Sequence, residues 1–348
     1  MKFNKNIFIG DRCISLNSRT FIIAEAGVNH NGDINIAKKL IDAAVECGAD
    51  AVKFQSFKTK NLILDKIDKA PYQEKTTDNN ESQTDMLKKL EIAITEMQDL
   101  KKYAESKGII FLSTPFEEES LNELDEIGVD AYKVAATDLT NIQFLRQVAS
   151  KKKPIILSAG MCYLEEVQKA LEAIQPINED VILLQCTANY PITDEEANIG
   201  VISTFKNKFD MLIGYSDHSK GVGASPYAVA LGAKVIEKHF TLSRTMEGPD
   251  HLASIEPNEL KELVETVRKV EKYVGDGVKM PTCSEQFTRK ALQKCLVAKR
   301  TIKEGEELTG ENIVAKRTSG VGISALYYDK IVGSVAKKDY QEDDIIEQ

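Results

Sequence analysis

Residues 235–251 read VIEKHFTLSRTMEGPDH. The stretch opens as a buried strand, then meets Glu237, Lys238 and His239 in succession and closes on Gly-Pro-Asp-His. A strand that turns charged at its C-terminal end is the pattern of a barrel strand reaching its mouth, where that fold collects its chemistry. Seven further short apolar, β-branched runs precede it: FIIAEAG (21–27), ADAVKFQSF (49–57), GIIFLSTPF (108–116), DAYKVAATD (130–138), KPIILSAGM (153–161), DVILLQCTA (180–188) and DMLIGYSDH (210–218). Between them lie segments such as 34–47 (INIAKKLIDAAVEC) and 164–174, whose apolar residues recur at three- and four-residue intervals as on one face of a helix. Eight strands alternating with helices predict an α/β fold, a (β/α)8 TIM barrel filling roughly residues 20–275 of a domain spanning 1–275.

One interval breaks the even spacing. From Gln55 to Thr114 it is about twice as long as the others and holds the polar stretch KAPYQEKTTDNNESQTDM (69–86). Long loops in compact domains are usually functional, so this one is expected to form a lid over the mouth. After Gly275 the segment GDGVKMPTCSEQ reads as a linker, 276–286. Short strands and turns then predict a small, mostly-β domain over 287–348.

Composition narrows the function classes. The 348 residues are 42% hydrophobic and 28% charged, as in an ordinary globular protein, and no run is apolar enough for a signal peptide or a membrane span. The chain is expected to be cytoplasmic. A net charge of −9 without a basic tract opposes binding to nucleic acid or anionic membranes. Six scattered cysteines without paired spacing read as reduced thiols, not a zinc framework.

The strand ends bring polar groups to one mouth: Glu25, Asn29 and His30; Lys53 and Gln55; Ser113 and Thr114; Lys133 and Asp138; Ser158; Thr187 and Tyr190; Ser216, Asp217 and His218; Glu237, Lys238 and His239. Only four histidines occur, and His218 and His239 end neighbouring strands, so two imidazoles could share one metal ion in an open site. The plainer alternative is a histidine satisfied by a carboxylate such as Asp217. Lys53 and Lys133 either pair with Glu25 and Glu237 as a structural lattice or, with Thr114, Ser158 and Ser216, cradle a phosphate or carboxylate. Glu25 suits a general base or a water-positioning carboxylate, or a plain counter-ion to Lys53. The roles of His30 and His251 stay open.

Read together, IIAEAGVNHNGD, AVKFQSF, FLSTPF, IILSAGM, GYSDHS, IEKHFT and GPDHLASIEP resemble the sialic acid synthase family, and the tail AKRTIKEGEELTGENIVAKR…GIS is similar to its antifreeze-like (SAF) domain. The resemblance implies condensation of phosphoenolpyruvate with an open-chain N-acetylated hexose to give a nonulosonic acid and phosphate. It implies that His218 and His239 hold a divalent metal ion, Mn2+ first with Mg2+ or Co2+ as alternatives, that polarises the sugar aldehyde. Lys53, Thr114, Lys133, Ser158 and Ser216 would bind phosphoenolpyruvate. Gln55, Tyr190 and Asp250 would bind the sugar, and Glu25 would act near the reacting carbons. Arg317 would reach the sugar in the partner subunit's barrel, making a homodimer in which each SAF domain lies over the other subunit's barrel. N-acetylmannosamine is the first expectation for the sugar. A 2,4-diacetamido-trideoxyhexose, leading to a legionaminate or pseudaminate, is the alternative, with discriminating contacts expected near Tyr72 and Gln73. A metal-dependent pyruvate aldolase is a more distant reading, and a non-enzymatic scaffold a further one. Three departures stand out: Ala136-Thr137-Asp138 in place of Ser-Gly-Glu, Gln185 in place of His, and Arg317-Thr318-Ser319 in place of Arg-Pro-Gly.

Overall fold

The computed structural model describes residues 1–64, 67, 69 and 81–347, which fall into two compact units, Met1–Gly275 and Asp276–Gln348. A hairpin absent from the sequence reading comes first, β1 (Asn6–Ile9) and β2 (Arg12–Ser15), turning at Gly10 and Asp11. Eight parallel strands follow: β3 (Phe21–Gly27), β4 (Ala51–Ser56), β5 (Ile110–Pro115), β6 (Tyr132–Val134), β7 (Ile155–Ser158), β8 (Val181–Cys186), β9 (Leu212–Asp217) and β10 (Val235–His239). They close in the order β10-β3-β4-β5-β6-β7-β8-β9. Each of the eight apolar runs holds one strand, and the fold is the TIM barrel expected.

Two apolar layers hold it together. Outward-facing residues such as Ile22, Ala24, Val52 and Phe54 pack against the helices, among them Leu40 and Ile41 of Ile34–Glu46. Inward-facing Phe21, Ile23, Ala51, Leu112, Ile156, Ile182, Leu212 and Val235 form a second core, joined by Ile7, Ile9 and Ile14 of the hairpin, which therefore plugs the N-terminal end. Close packing of this inner core explains Gly214. A Cβ there would stand 2.4 Å from Leu184 Cδ2 and 2.6 Å from the Val235 carbonyl.

The long interval between β4 and β5 is not a bare loop. It contains helices Thr59–Leu62, Gln83–Leu90 and Ile94–Ser106, the last being the regular outer helix. Ser82 caps Gln83–Leu90 by accepting from the Asp85 amide. Met86 and Leu90 bury themselves against Val28 and Phe57 at the mouth. Gly32 (φ +75°) lets the β3 loop approach this helix, since a Cβ would lie 2.4 Å from the Lys89 carbonyl. Tyr72 and Gln73 lie outside the described residues.

In the second unit a small core of Leu296, Ala298, Ile302, Leu308, Ile313, Ile331, Ala336, Tyr340 and Ile346 sits behind an antiparallel pair, β11 (Lys294–Ala298) and β12 (Ile313–Arg317). The stretch read as a linker, 276–286, is partly helical: Thr282 and Glu285 form a capping box for helix Cys283–Leu292, which straddles the expected 286/287 boundary.

Candidate active site

Strand alternation decides which side chains enter the barrel. Phe21 and Ile23 point inward, so Glu25 does too; Ala51 is followed by Lys53 and Gln55, Leu112 by Thr114, Ala131 by Lys133, Ile156 by Ser158, Leu212 by Ser216, and Val235 by Glu237 and His239. The inner face is thus apolar at the base and ionic at the top. Above it opens a cavity of about 470 Å³ that every expected barrel site residue lines: Glu25, Lys53, Gln55, Thr114, Lys133, Ser158, Tyr190, Ser216, His218, His239 and Asp250.

The floor is a four-membered charge lattice, at most 4% exposed. Lys53 Nζ lies 2.8 Å from Glu25 and 3.6 Å from Glu237, and donates to Thr114 Oγ1 at 2.9 Å. Lys133 Nζ donates to Ser158 Oγ at 2.8 Å and lies 3.5 Å from Glu237, which also accepts from Ser216 Oγ at 2.9 Å. Gln55 donates to Glu25 Oε1 at 3.0 Å. The lysines are thus paired with carboxylates, as in the lattice alternative, and they also line the cavity. Burial pushes Glu237 up, but Lys133 and Lys53 outweigh it and hold that carboxyl down at about 2. Burial raises Glu25 and Glu237 adds to the rise, against the pull of Lys53. The two neighbouring carboxyls are thus driven apart, Glu237 towards the ionised form and Glu25 towards the protonated one.

His218 and His239 stand with ring centroids 5.4 Å apart, and the Tyr190 ring packs 4.1 Å from His218. His218 Nδ1 donates to the Thr187 carbonyl at 2.6 Å, which leaves its Nε2 as the lone-pair nitrogen. His239 Nδ1 is buried without a hydrogen-bond partner and lies 4.0 Å from Asp250. Burial pushes His218 down to about 4, and burial together with His218 pushes His239 well below its ordinary range, so both rings are neutral at pH 7. Two neutral imidazoles, one oriented by a carbonyl and one with an orphaned nitrogen, fit a divalent ion. Among the described residues no group of three or more His, Cys, Asp or Glu converges on one point, so the protein would supply two ligands and leave the rest to substrate and water.

A family model described as the NeuB family matches residues 40–279, and a SAF domain model matches residues 293–348. The chain belongs to the NeuB family. It is 47% identical over 333 residues, covering 95% of this chain and 99% of the relative, to N,N'-diacetyllegionaminic acid synthase of Campylobacter jejuni. It is 41% identical to the enzyme of that name in Legionella pneumophila, over 90% of this chain and 89% of the relative. A solved structure, the N-acetylneuraminic acid synthetase of Leptospira borgpetersenii in complex with citrate, superposes with a TM-score of 0.74 at 38% identity, covering 82% of this chain and 95% of that one. This NeuB protein is accordingly a phosphoenolpyruvate-condensing transferase of the nonulosonic acid synthase class. NeuB enzymes are generally metal-dependent.

Of the residues left open, His30 and His251 do not line the cavity: His30 Nδ1 accepts from the Gly32 amide at 2.9 Å within its own turn, whereas His251 helps tie two loops together. His251 Nδ1 is 2.6 Å from Thr241 Oγ1 and its Nε2 3.2 Å from Asn31 Oδ1, while Asn31 donates to the Glu247 carbonyl at 2.8 Å. Asn29 donates to the Phe240 carbonyl and to Ser254 Oγ, both at 2.9 Å. The NHNG turn after β3 thus clamps the GPDH loop that carries Asp250. Burial lowers His30 and His251 to about 4. Their folded-state values lie below the unfolded 6.5, so the stability they contribute is complete above pH 6.5 and falls as pH drops towards 4. The urea midpoint should therefore fall between pH 7 and pH 4.5, and fall less in His251→Asn.

The departures are resolved unequally in this NeuB chain. Ala136 and Thr137 line the cavity, and Thr137 Oγ1 donates to the buried Asp138 at 3.3 Å. Gln185 is buried and does not line it; the next residue, Cys186, does, with burial raising its thiol to about 12. Arg317 ends β12, exposed, in the second unit. Within the interval expected to form a lid, the sequence reading did not single out the residues of one wall: Gln83, Met86, Leu87 and Leu90 of a single helix face the cavity.

Proposed function

We propose that this NeuB protein is a legionaminate-type synthase, joining phosphoenolpyruvate to an open-chain 2,4-diacetamido-trideoxyhexose. The observation that carries this is the pair of relatives named N,N'-diacetyllegionaminic acid synthase, 47% and 41% identical across nearly the whole chain. It displaces N-acetylmannosamine, the first expectation from sequence. A pyruvate aldolase would have no use for two buried lysines backed by Thr114, Ser158 and Ser216 around a phosphate.

In the reaction, C3 of phosphoenolpyruvate forms a bond to the sugar C1, the aldehyde oxygen takes a proton, and water adds at C2 as the C2–O bond to phosphate breaks. A divalent ion held by His218 and His239, Mn2+ in this reading, would polarise the aldehyde as a Lewis acid. Lys53 and Lys133 hold the anionic partner, with Glu237 fixing their ammonium groups. Glu25, opposite His239 in the strand register, holds or passes the proton at the reacting carbons. Gln55, Tyr190 and Asp250 orient the sugar. Thr137 supplies the hydroxyl that the Ala136-Thr137-Asp138 departure removes.

The test is a side-by-side assay of the two sugars. kcat/KM should favour 2,4-diacetamido-2,4,6-trideoxymannose over N-acetylmannosamine, and the reverse order would refute the assignment. The same reading makes the working unit a homodimer in which Arg317 serves the partner's barrel. Its planar fork of donors can fix a sugar amide or hydroxyl through more than one bond. Arg317→Ala and Glu25→Ala should each be impaired, and mixing them should restore part of the activity once subunits exchange. No recovery despite exchange seen by native mass spectrometry would count against the shared site.

A further inference from the structure

The cavity has one wall unlike the rest. Met86, Leu87 and Leu90 enter it from helix Gln83–Leu90, with Val28 after β3 and Phe116 after β5 completing an apolar surface. The spacing of 83, 86, 87 and 90 puts all four cavity residues on one helix face, and Gln83 is the only polar one the helix contributes. The opposite end of the cavity is the ionic layer of Lys53, Lys133 and Glu237, with the two imidazoles beside it.

We propose that this apolar wall reads the C6 end of the sugar and selects a 6-deoxy chain. The inference rests on the synthase reading above and goes further, because it assigns discrimination to residues outside the expected sugar contacts. Polarity sets the direction: the charged floor takes the anionic partner and His218 and His239 take the aldehyde end, so the far end of the chain is directed away from both. Around the barrel, β10 neighbours β3 and β3 neighbours β4, and His239 faces Glu25, which faces Lys53. A chain leaving His239 on this side passes Glu25 and Gln55 and meets Val28, Leu87 and Phe116. A C6 methyl group there exchanges water for apolar contact. A C6 hydroxyl would lose its water and find no partner on Val28, Met86, Leu87, Leu90 or Phe116. An apolar pocket rejects an added hydroxyl only modestly, by roughly 10- to 100-fold in kcat/KM.

The experiment compares 2-acetamido-2-deoxymannose with 2-acetamido-2,6-dideoxymannose, which differ only at C6, alongside 2,4-diacetamido-2,4,6-trideoxymannose, in the full-length protein. The wild type should prefer the 6-deoxy member of the pair by about 10- to 100-fold. Leu87→Asn, at a half-buried position, should shrink that ratio several-fold. Phe116→Tyr places a hydroxyl in the same wall with little change of volume and should shrink it too. If the wild type uses the diacetamido sugar well yet does not distinguish the pair, the wall assignment is overturned and the synthase reading stands. An undiminished preference in either variant, once circular dichroism shows that variant folded, overturns the wall assignment in the same way. If the wild type prefers the 6-hydroxy sugar and rejects the diacetamido one, the legionaminate reading fails as well.

Discussion

Replacing His239 by Ala leaves a protein that folds, retains no divalent ion through dialysis, and turns over at least about 1000-fold more slowly, since a Lewis acid at a carbonyl is worth several kcal/mol. The expectation comes from the sparse donor set: with only two imidazoles converging, neither can be spared. His218→Ala should behave alike, with Thr187 losing the ring that its carbonyl orients. Metal content by elemental analysis separates this result from a generally damaged site, because a misfolded cavity would lower activity without a matching stoichiometric loss of ion in a protein of normal melting behaviour. Full activity in exhaustively chelated His239→Ala would remove the metal from the mechanism.

The second large effect is expected at the lysines. Lys53→Met keeps most of the stem volume but leaves Glu25 and Glu237 facing each other without their shared cation. Breaking a buried pair in this way costs about 3–5 kcal/mol. Burial and the neighbouring Glu237 already raise Glu25, and removing Lys53 raises it further. A carboxyl whose folded pKa stands above its unfolded value stabilises at low pH and loses that contribution as pH rises through the folded value. Lys53→Met should therefore recover stability relative to wild type at pH 5 and be weakest at pH 8 by urea denaturation. Its KM for phosphoenolpyruvate should rise by about 10- to 100-fold, a loss of charge-assisted contacts. Lys133→Met should raise that KM comparably. Unchanged affinity for phosphoenolpyruvate in both variants would place the phosphate elsewhere.

Much of this was legible because a TIM barrel writes its site into strand periodicity. In Val235, Glu237 and His239, or Ile156 and Ser158, the inward positions change from apolar to polar as the strand climbs, so the eight apolar runs disclosed both the fold and the mouth. What escaped was shorter or lay across elements. The strands Asn6–Ile9 and Arg12–Ser15 have four residues each, too few for their alternation to stand out, although Gly10-Asp11 between them is a turn signal. Helix Gln83–Leu90 hides in a stretch whose polar composition suggests a loop, and only the spacing of Met86, Leu87 and Leu90 gives away its apolar face. The Thr282–Glu285 capping box likewise lay in a segment read as linker. One contact could not be read at all, the Asn31–His251 clamp, which spans 220 positions; the pairing of Lys53 and Lys133 with Glu25 and Glu237 was one of two alternatives, and the closeness of Glu237 to both lysines at once depends on barrel closure.

The central claim is that this cavity uses the phosphate ester itself to make a carbon–carbon bond. The direct measurement incubates the metal-loaded protein with phosphoenolpyruvate and 2,4-diacetamido-2,4,6-trideoxymannose, following inorganic phosphate and the nine-carbon acid by mass spectrometry. Phosphate should appear only when the sugar is present, in one-to-one ratio with the acid, and pyruvate should not replace phosphoenolpyruvate. Product formation from pyruvate, or phosphate released without sugar, would contradict the claim.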